Sequence, residues 1–315
     1  MEQSDSNLAK EKPADVPNTE DMSLGQSGAR YNQWLGKLRE AGILKAERLL
    51  PEMRVPVPTA LPSLMGRGAA REGLVQEIKA LQPWGYSIQL APGVLTGGAE
   101  ALERTVYRSH LISGAIREGL RLCGRTPQGA TAVDFACNHG YFSLLAAELG
   151  FDAVRGFDLR EVNLRKARLL ADQFDLPSAT FEQRDVYTYE GEADVVLNLG
   201  LLYHVTDPVR LMELSFAATS TFCIVDTITH KSPVSAFILR TNKDQSHHAE
   251  GAYNAELHPT YRALIDLMHA AGFVDLMEVV PEARPDRACH PLYDKSDRRC
   301  LIGFRPGAVV ERLPG

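Results

Sequence analysis

The chain has 315 residues, enough for one large domain, or a domain with a substantial appendage, around a sizeable core. With 44% apolar and 23% charged residues, 25 Gly and 18 Pro, it is not a mostly disordered, collagenous or fibrous chain, and a net charge of -6 supplies no global positive field to draw in a polyanion. The longest apolar runs, such as 199–203, fall far short of the roughly 20 residues a membrane span needs, and no basic-then-apolar export signal opens the chain, so no membrane partner and a cytoplasmic location are expected.

Residues 1–30 are polar, acidic and without periodicity, the signature of a disordered tail. From 31 to 50, Trp34, Leu35, Leu38, Ile43, Leu44 and Leu49 recur at near-helical spacing, and Pro51 with Pro56, Pro58 and Pro62 ends the pattern in an extended connector. A helix is expected over 72–81 and a strand over 86–90, closed by Pro92 and Gly93, so that 31–99 reads as an N-terminal cap. Residues 31–72 carry seven basic and four acidic side chains, an excess that suits a solvated helix face or a docked RNA.

The pattern changes near residue 100. A helix over 100–122, with Leu102, Val106, Leu111, Ile112, Ile116 and Leu120 on one face, leads into a strand over 130–135. Strand-like segments follow at 153–157, 180–183, 193–198, 221–226, 274–280 and 299–304, alternating with helices at 162–174, 208–219 and 260–271. This alternation predicts an α/β fold, a largely parallel sheet with helices on both faces, closed by a hairpin at the sheet's edge. Gly150 and Gly272 stand where helix ends want a left-handed residue, and Asp207-Pro208 supplies an N-cap followed by a first-turn proline. The five cysteines form no CxxC pair and read as free thiols.

The informative segment is Val133-Asp134-Phe-Ala136-Cys-Asn138-His-Gly140-Tyr-Phe-Ser143, a strand running through a small-residue turn into a helix. Ligands of open α/β sheets sit at the carboxyl ends of such strands. A dinucleotide site wants G-x-G-x-x-G there, because a pyrophosphate must approach the backbone closely; here Ala136 and Asn138 take the places of the first two glycines. Asn tolerates positive φ, and Gly140 leaves one place open for a ligand's approach. Eighteen residues past Gly140, Asp158 ends the next strand, placed to accept hydrogen bonds from both ribose hydroxyls. Asp185 and the backbone N–H of Val186 follow one strand later, suited to an adenine edge. The strand over 193–198 ends in Leu199-Gly-Leu-Leu-Tyr203-His204 at the same mouth. A nucleoside without phosphates fits these features together.

This pattern resembles the class I S-adenosylmethionine-dependent methyltransferases, whose motif D-x-G-x-G-x-G is matched with Ala and Asn substitutions. Cys137-Asn-His-Gly-Tyr-Phe-Ser143 with Leu199-Gly-Leu-Leu-Tyr-His204, and the upstream Trp84 and Thr96, resemble the branch of tRNA wobble-uridine 5-oxyacetate methyltransferases. The family resemblance covers about 130–305 and implies a Rossmann-like seven-stranded sheet, mostly parallel, with an antiparallel last hairpin in a domain over 100–315. It implies S-adenosyl-L-methionine as cofactor: Asp134, Ala136, Asn138 and Gly140 at its methionine end, Asp158 at the ribose, Asp185 and Val186 at the adenine, Leu199 and Tyr203 beside the sulfonium, and Leu159 and Asn198 as further cofactor-binding residues. The wobble-uridine enzymes hold a carboxylated cofactor through lysines after the Pro-Trp pair, whereas this chain has no Lys between Lys79 and Lys166, which favours plain S-adenosylmethionine and a small-molecule acceptor over tRNA.

For an acceptor that must lose a proton, His204 is the candidate base. Trp84, Tyr86 and Tyr107 are cap candidates for substrate contact, with core packing as the plainer role. The segment 228–258 reads as a long inserted loop with His230, His247, His248, His258, Glu250 and Glu256, and its Tyr253 and Asn254 are further candidates for facing the acceptor. The adjacent His247 and His248 diverge on any regular element, so no metal site is assigned. Arg284, Arg287, Arg298 and Arg299 suit either an anionic substrate or solvent. A non-catalytic S-adenosylmethionine-binding module and a nicotinamide-dependent oxidoreductase are the competing readings, and the oligomeric state stays open.

Overall fold

Short apolar runs separated by glycine, proline and acidic turns set the element order. The computed structural model describes residues 50–55, 70, 72–241, 255–282, 293 and 297–311. The first part comprises β1 (Glu52–Val55), α1 (Leu74–Ala80), β2 (Gln89–Ala91), β3 (Val94–Leu95) and the long α2 (Ala99–Leu122). The centre runs β4 (Thr131–Phe135), α3 (Tyr141–Glu148), β5 (Ala153–Asp158), α4 (Glu161–Phe174), β6 (Ala179–Gln183) and β7 (Ala193–Leu199). After it come α5 (Pro208–Ala217), β8 (Thr219–Ile228), β9 (Phe237–Thr241), β10 (Ala255–Pro259), α6 (Tyr261–Ala271), β11 (Val274–Pro281) and β12 (Arg298–Phe304). The expected tail over 1–30 and the helical pattern over 31–49 lie outside the described residues, as do Tyr253, Asn254, His247 and His248.

Among the described residues, eight strands form one sheet in the order β1-β11-β12-β8-β7-β4-β5-β6. Strands β4 to β8 run parallel, and β12 enters antiparallel between β8 and β11. This is the Rossmann-like sheet expected from the sequence, with one strand beyond the expected seven. The additional strand, β1, pairs parallel with β11, an arrangement extended by the Glu278 N–H donating to the Pro51 carbonyl at 2.9 Å. The closing hairpin therefore does not form the sheet's edge. Residues after Pro51, expected as a connector, become a strand only because β11 offers them backbone partners.

Successive strand residues face opposite layers. Val195, Leu197, Ile224 and Ile302 pack into the layer that holds the apolar face of α2, while Val133, Val196, Val225 and Leu301 pack against α5 and α6. The central strands are buried on both faces, which is why they read as continuous apolar runs rather than alternating ones. Helix α2 lies close to the sheet because Gly119 carries no side chain; a Cβ there would meet Ile302 at 2.7 Å and Phe222 at 2.8 Å.

Helix punctuation follows local chemistry. The Asp207 side chain accepts from the Arg210 N–H with Pro208 at the first turn, Thr260 accepts from Ala263, and Gly272 ends α6 at φ 112°. The strand expected over 86–90 is shorter. The backbone N–H groups of Ser87 and Ile88 are instead bound by the hydroxyls of Thr105 and Thr96, and β2 begins at Gln89. The segment expected as a loop over 228–258 contains the antiparallel pair β9 and β10.

Candidate active site

Strands β4, β5 and β7 end side by side, and the turn after β4 builds the floor of a cleft of about 440 Å³ at their carboxyl ends. Ala136, Asn138 and Gly140 alternate in the left-handed region at φ 54°, 51° and 71°. The turn thus has a glycine-like path with only one glycine, and Ala136 bears a steric cost of roughly 1–2 kcal/mol. Three bonds hold it: the Cys137 N–H donates to the Phe157 carbonyl at 2.8 Å, the Gly140 N–H to the Cys137 carbonyl at 2.8 Å, and the Asn138 N–H to Asp158 Oδ2 at 3.0 Å.

The carboxylates at the cleft differ in surroundings. Asp134 is buried and accepts from Ser143 Oγ at 2.7 Å; burial pushes its carboxyl up to about 7. Asp158 Oδ1 accepts from the Arg160 N–H at 2.9 Å and from Asn163 Nδ2 at 3.2 Å. Asp185 caps a short 3-10 turn, Val186–Thr188, by accepting from the Tyr187 N–H at 3.0 Å.

On the other side, a 3-10 turn, Leu202–His204, brings Tyr203 and His204 to the wall with ring centroids 4.0 Å apart. His204 Nδ1 lies 3.3 Å from Glu256 Oε1 on β10, and Glu256 Oε2 lies 2.7 Å from His258 Nε2. Burial lowers the His204 pKa to about 4 against the opposing pull of Glu256, so the imidazole is neutral at neutral pH. Arg108 of α2 and Arg298 of β12 also line the cleft, and both bind the buried Asp226, Arg108 Nη2 at 2.7 Å and Arg298 Nε at 2.6 Å. Tyr293 donates to the other oxygen of Asp226 at 2.6 Å. Against a burial that favours the neutral acid, Arg298 and Arg108 hold the Asp226 carboxyl below the usual carboxylate range. Among the described residues, buried Arg108 Nε and Asn138 Oδ1 have no protein partner.

A family model described as a methyltransferase domain matches residues 107–278, just over half of the chain. The chain belongs to this methyltransferase domain family. Two relatives are similar to part of the methyltransferase: the ubiquinone biosynthesis O-methyltransferases of Psychrobacter arcticus and Psychrobacter cryohalolentis are each 33% identical over 107 residues, covering 32% of this chain and 41% of theirs. Among solved structures, the N-terminal domain of EvdMO1, crystallised in the presence of SAH and D-fucose, is alike in fold over 76% of this chain and 100% of its own, with 19% identity and a TM-score of 0.56.

Of the residues read from the methyltransferase sequence, Asp134, Ala136, Asn138, Asp158, Leu159, Asp185, Val186, Leu199, Tyr203, His204 and Tyr86 line one cleft. Gly140 does not, which corrects its reading as an open approach for a ligand: a Cβ there would meet Phe181 at 2.6 Å and Ala167 at 2.7 Å, so its missing side chain makes room for β6 and α4. Asn198 is also absent from the lining, because its buried amide faces α5 and donates to Ser215 Oγ at 3.3 Å. Trp84 donates to the Ile78 carbonyl and packs beside His139, and Tyr107 of α2 packs against Tyr293, so neither lines the cleft. Of the neighbouring arginines, Arg298 faces the cleft while Arg299 pairs with Glu278 and lies over the Tyr261 ring.

Sequence reasoning missed Arg108 and Arg160. A basic residue three and four positions before Leu111 and Ile112, on the apolar stripe of α2, was the available signal for Arg108.

Proposed function

We propose that this methyltransferase takes S-adenosyl-L-methionine as methyl donor and a small molecule as acceptor, with His204 as the base. The observation that carries this reading is the convergence in one cleft of a left-handed, glycine-poor turn with the carboxylates Asp134, Asp158 and Asp185. A pyrophosphate beside three carboxylates is repelled; a nucleoside with a cationic arm is not. The buried Arg108 Nε and Asn138 Oδ1 fit the same ligand, one a donor for a carboxylate and the other an acceptor for an ammonium.

In this reading Asp158 accepts from the ribose hydroxyls, and Asp185 and the Val186 N–H meet the adenine edge beside exposed Leu159. Asp134, Ala136 and Asn138 line the methionine arm, whose carboxylate is met by Arg108. Bound there, the cofactor supplies a methyl group on a sulfonium leaving group. The protein's part is alignment and exclusion of water, with Leu199 and Tyr203 as walls and Tyr86 on the acceptor side. His204 takes the acceptor's proton. The cleft volume is within the range of small-molecule sites, and the O-methyltransferase relatives, similar to part of the chain, support an oxygen acceptor.

Calorimetry with S-adenosylhomocysteine and with NAD tests the donor: homocysteine-nucleoside binding is expected and NAD binding overturns the reading. With an acceptor panel that includes tRNA, His204→Ala is expected to lower kcat about 10²–10⁴-fold with S-adenosylhomocysteine affinity unchanged. Methylation of tRNA alone would replace the small-molecule reading.

A further inference from the structure

Of Arg284, Arg287, Arg298 and Arg299, the last two fall within the described residues, and their surroundings differ. Arg299 pairs with Glu278 and does not line the cleft, whereas Arg298 of β12 is part of the cleft wall with a side chain only 8% exposed. Gly200, just past β7, makes room for it. A Cβ on that glycine, which stands at φ 91°, would lie 3.1 Å from Arg298 Nη2, and the Gly200 N–H donates to the Asp226 carbonyl at 2.7 Å. The guanidinium therefore sits beside the segment that carries Leu199 and Tyr203 to the cleft.

Asp226 does not use up this guanidinium. Arg298 Nε donates to Asp226 Oδ1 at 2.6 Å and Nη2 to the Asp226 carbonyl at 3.4 Å, while Nη1 has no hydrogen-bond partner among the described residues. Nor does Asp226 balance the local charge. Its Oδ1 serves both Arg298 and Arg108, and its Oδ2 accepts from Tyr293, so two cations share one fully engaged carboxylate. Glu256, the next carboxylate on this side, has its oxygens 3.3 Å from His204 and 2.7 Å from His258 and does not line the cleft.

We propose that Arg298 selects the acceptor: the molecule that receives the methyl group carries a carboxylate, which pairs with the Arg298 guanidinium beside the end of β7. This rests on the donor reading given under the proposed function. Bound in that way, the cofactor sets its own carboxylate at Arg108 and its sulfonium beside Leu199 and Tyr203, so this half of the cleft holds Arg108, Arg298 and the sulfonium against Asp226 and one carboxylate. One positive charge is left over. An unbalanced charge in a largely buried cleft is unfavourable, and a monoanionic acceptor removes it where a neutral one does not. A single unused guanidinium nitrogen suits a carboxylate better than a phosphate, whose three oxygens ask for more donors. When the methyl group leaves, the electron pair of the S–C bond stays on sulfur and the cofactor loses its positive charge, which weakens the hold on the acid as the product forms.

The test is calorimetric titration of full-length protein, saturated with sinefungin, whose ammonium stands in for the sulfonium. The probes are matched acids and amides: benzoate and benzamide, 3-hydroxybenzoate and 3-hydroxybenzamide, hexanoate and hexanamide. At least one acid is expected to bind about tenfold or more tightly than its amide. Arg298→Gln, which keeps a donor for Asp226, is expected to lower that acid's affinity about 10–100-fold. A panel in which no acid outbinds its amide, or an acid affinity unchanged in Arg298→Gln, overturns the proposal. So does a larger loss of S-adenosylhomocysteine affinity than of acid affinity, which puts Arg298 with the donor. Should the glutamine variant not fold, Arg298→Lys takes its place, with an expected loss of about threefold to tenfold from the missing fork, and an unchanged affinity again overturns the proposal; should neither fold, the wild-type preference for acid over amide decides. Failure of the wild type to bind either sinefungin or S-adenosylhomocysteine overturns the donor reading instead, and the comparison of acids with amides on the unliganded protein then decides the role of Arg298.

Discussion

The two halves of the cleft are built in different ways. The half lined by Asp134, Ala136, Asn138, Asp158, Asp185 and Val186 comes from the ends of β4 and β5 and the segment after β6, within about fifty residues of chain. The facing half takes Tyr86 from the cap, Arg108 from α2, Tyr203 and His204 from the turn after β7, and Arg298 from β12. Neighbouring parallel strands must end together, so a short stretch of chain can complete the first half with local turns. The second half exists only when α2, β12 and the β10 hairpin converge. A half built from one short stretch of chain holds one geometry, whereas a half assembled from separate segments can change one segment at a time.

Substitutions separate these halves, and the largest effect is expected in the first. Asp158→Ala removes a carboxylate proposed to bind two hydroxyls, at roughly 1.5–3 kcal/mol for each charge-assisted bond, so S-adenosylhomocysteine affinity in calorimetry should fall by at least about 100-fold. Because Asp158 also accepts from Asn138, Arg160 and Asn163, a fall in stability of about 1–3 kcal/mol should accompany it in denaturant unfolding.

A smaller effect should come from Asp134. Burial raises its pKa to about 7, so the folded protein holds this proton where the unfolded chain has lost it. The stability it contributes is present below the unfolded value of 3.8 and is lost as pH rises through about 7. A bound ammonium favours the carboxylate, so binding should release a proton below pH 7. S-adenosylhomocysteine affinity should drop about tenfold from pH 6.5 to 5.5, and Asp134→Asn should flatten that dependence. The smallest effect should come from the turn: Ala136→Gly relieves a left-handed alanine and should raise stability by about 1 kcal/mol, read as a Tm increase of about 2–4 °C.

Most of the fold was legible because the buried parallel strands are unbroken apolar runs, bounded by residues with a turn chemistry of their own. Elements that depend on a distant partner were not. β1 is four residues of ordinary composition after Pro51 and is a strand through β11, while β9 and β10 are strands through each other. The same division holds in the site. The spacing from Asp134 to Asp158 to Asp185 put three carboxylates at neighbouring strand ends, and they line one cleft, but Gly140 was misread because its neighbours, Phe181 and Ala167, come from β6 and α4.

The order of strands and helices, the turn after β4 and the run of carboxylates at the strand ends are local properties, set by hydrophobic periodicity and by which residues tolerate each turn. Contacts across long stretches of chain follow no such periodicity. That Arg108 and Arg298 share Asp226, that Asn198 turns away to Ser215 and that Glu256 reaches His204 depend on how the layers pack, because side chains from different elements meet only when burial of both faces brings those elements together.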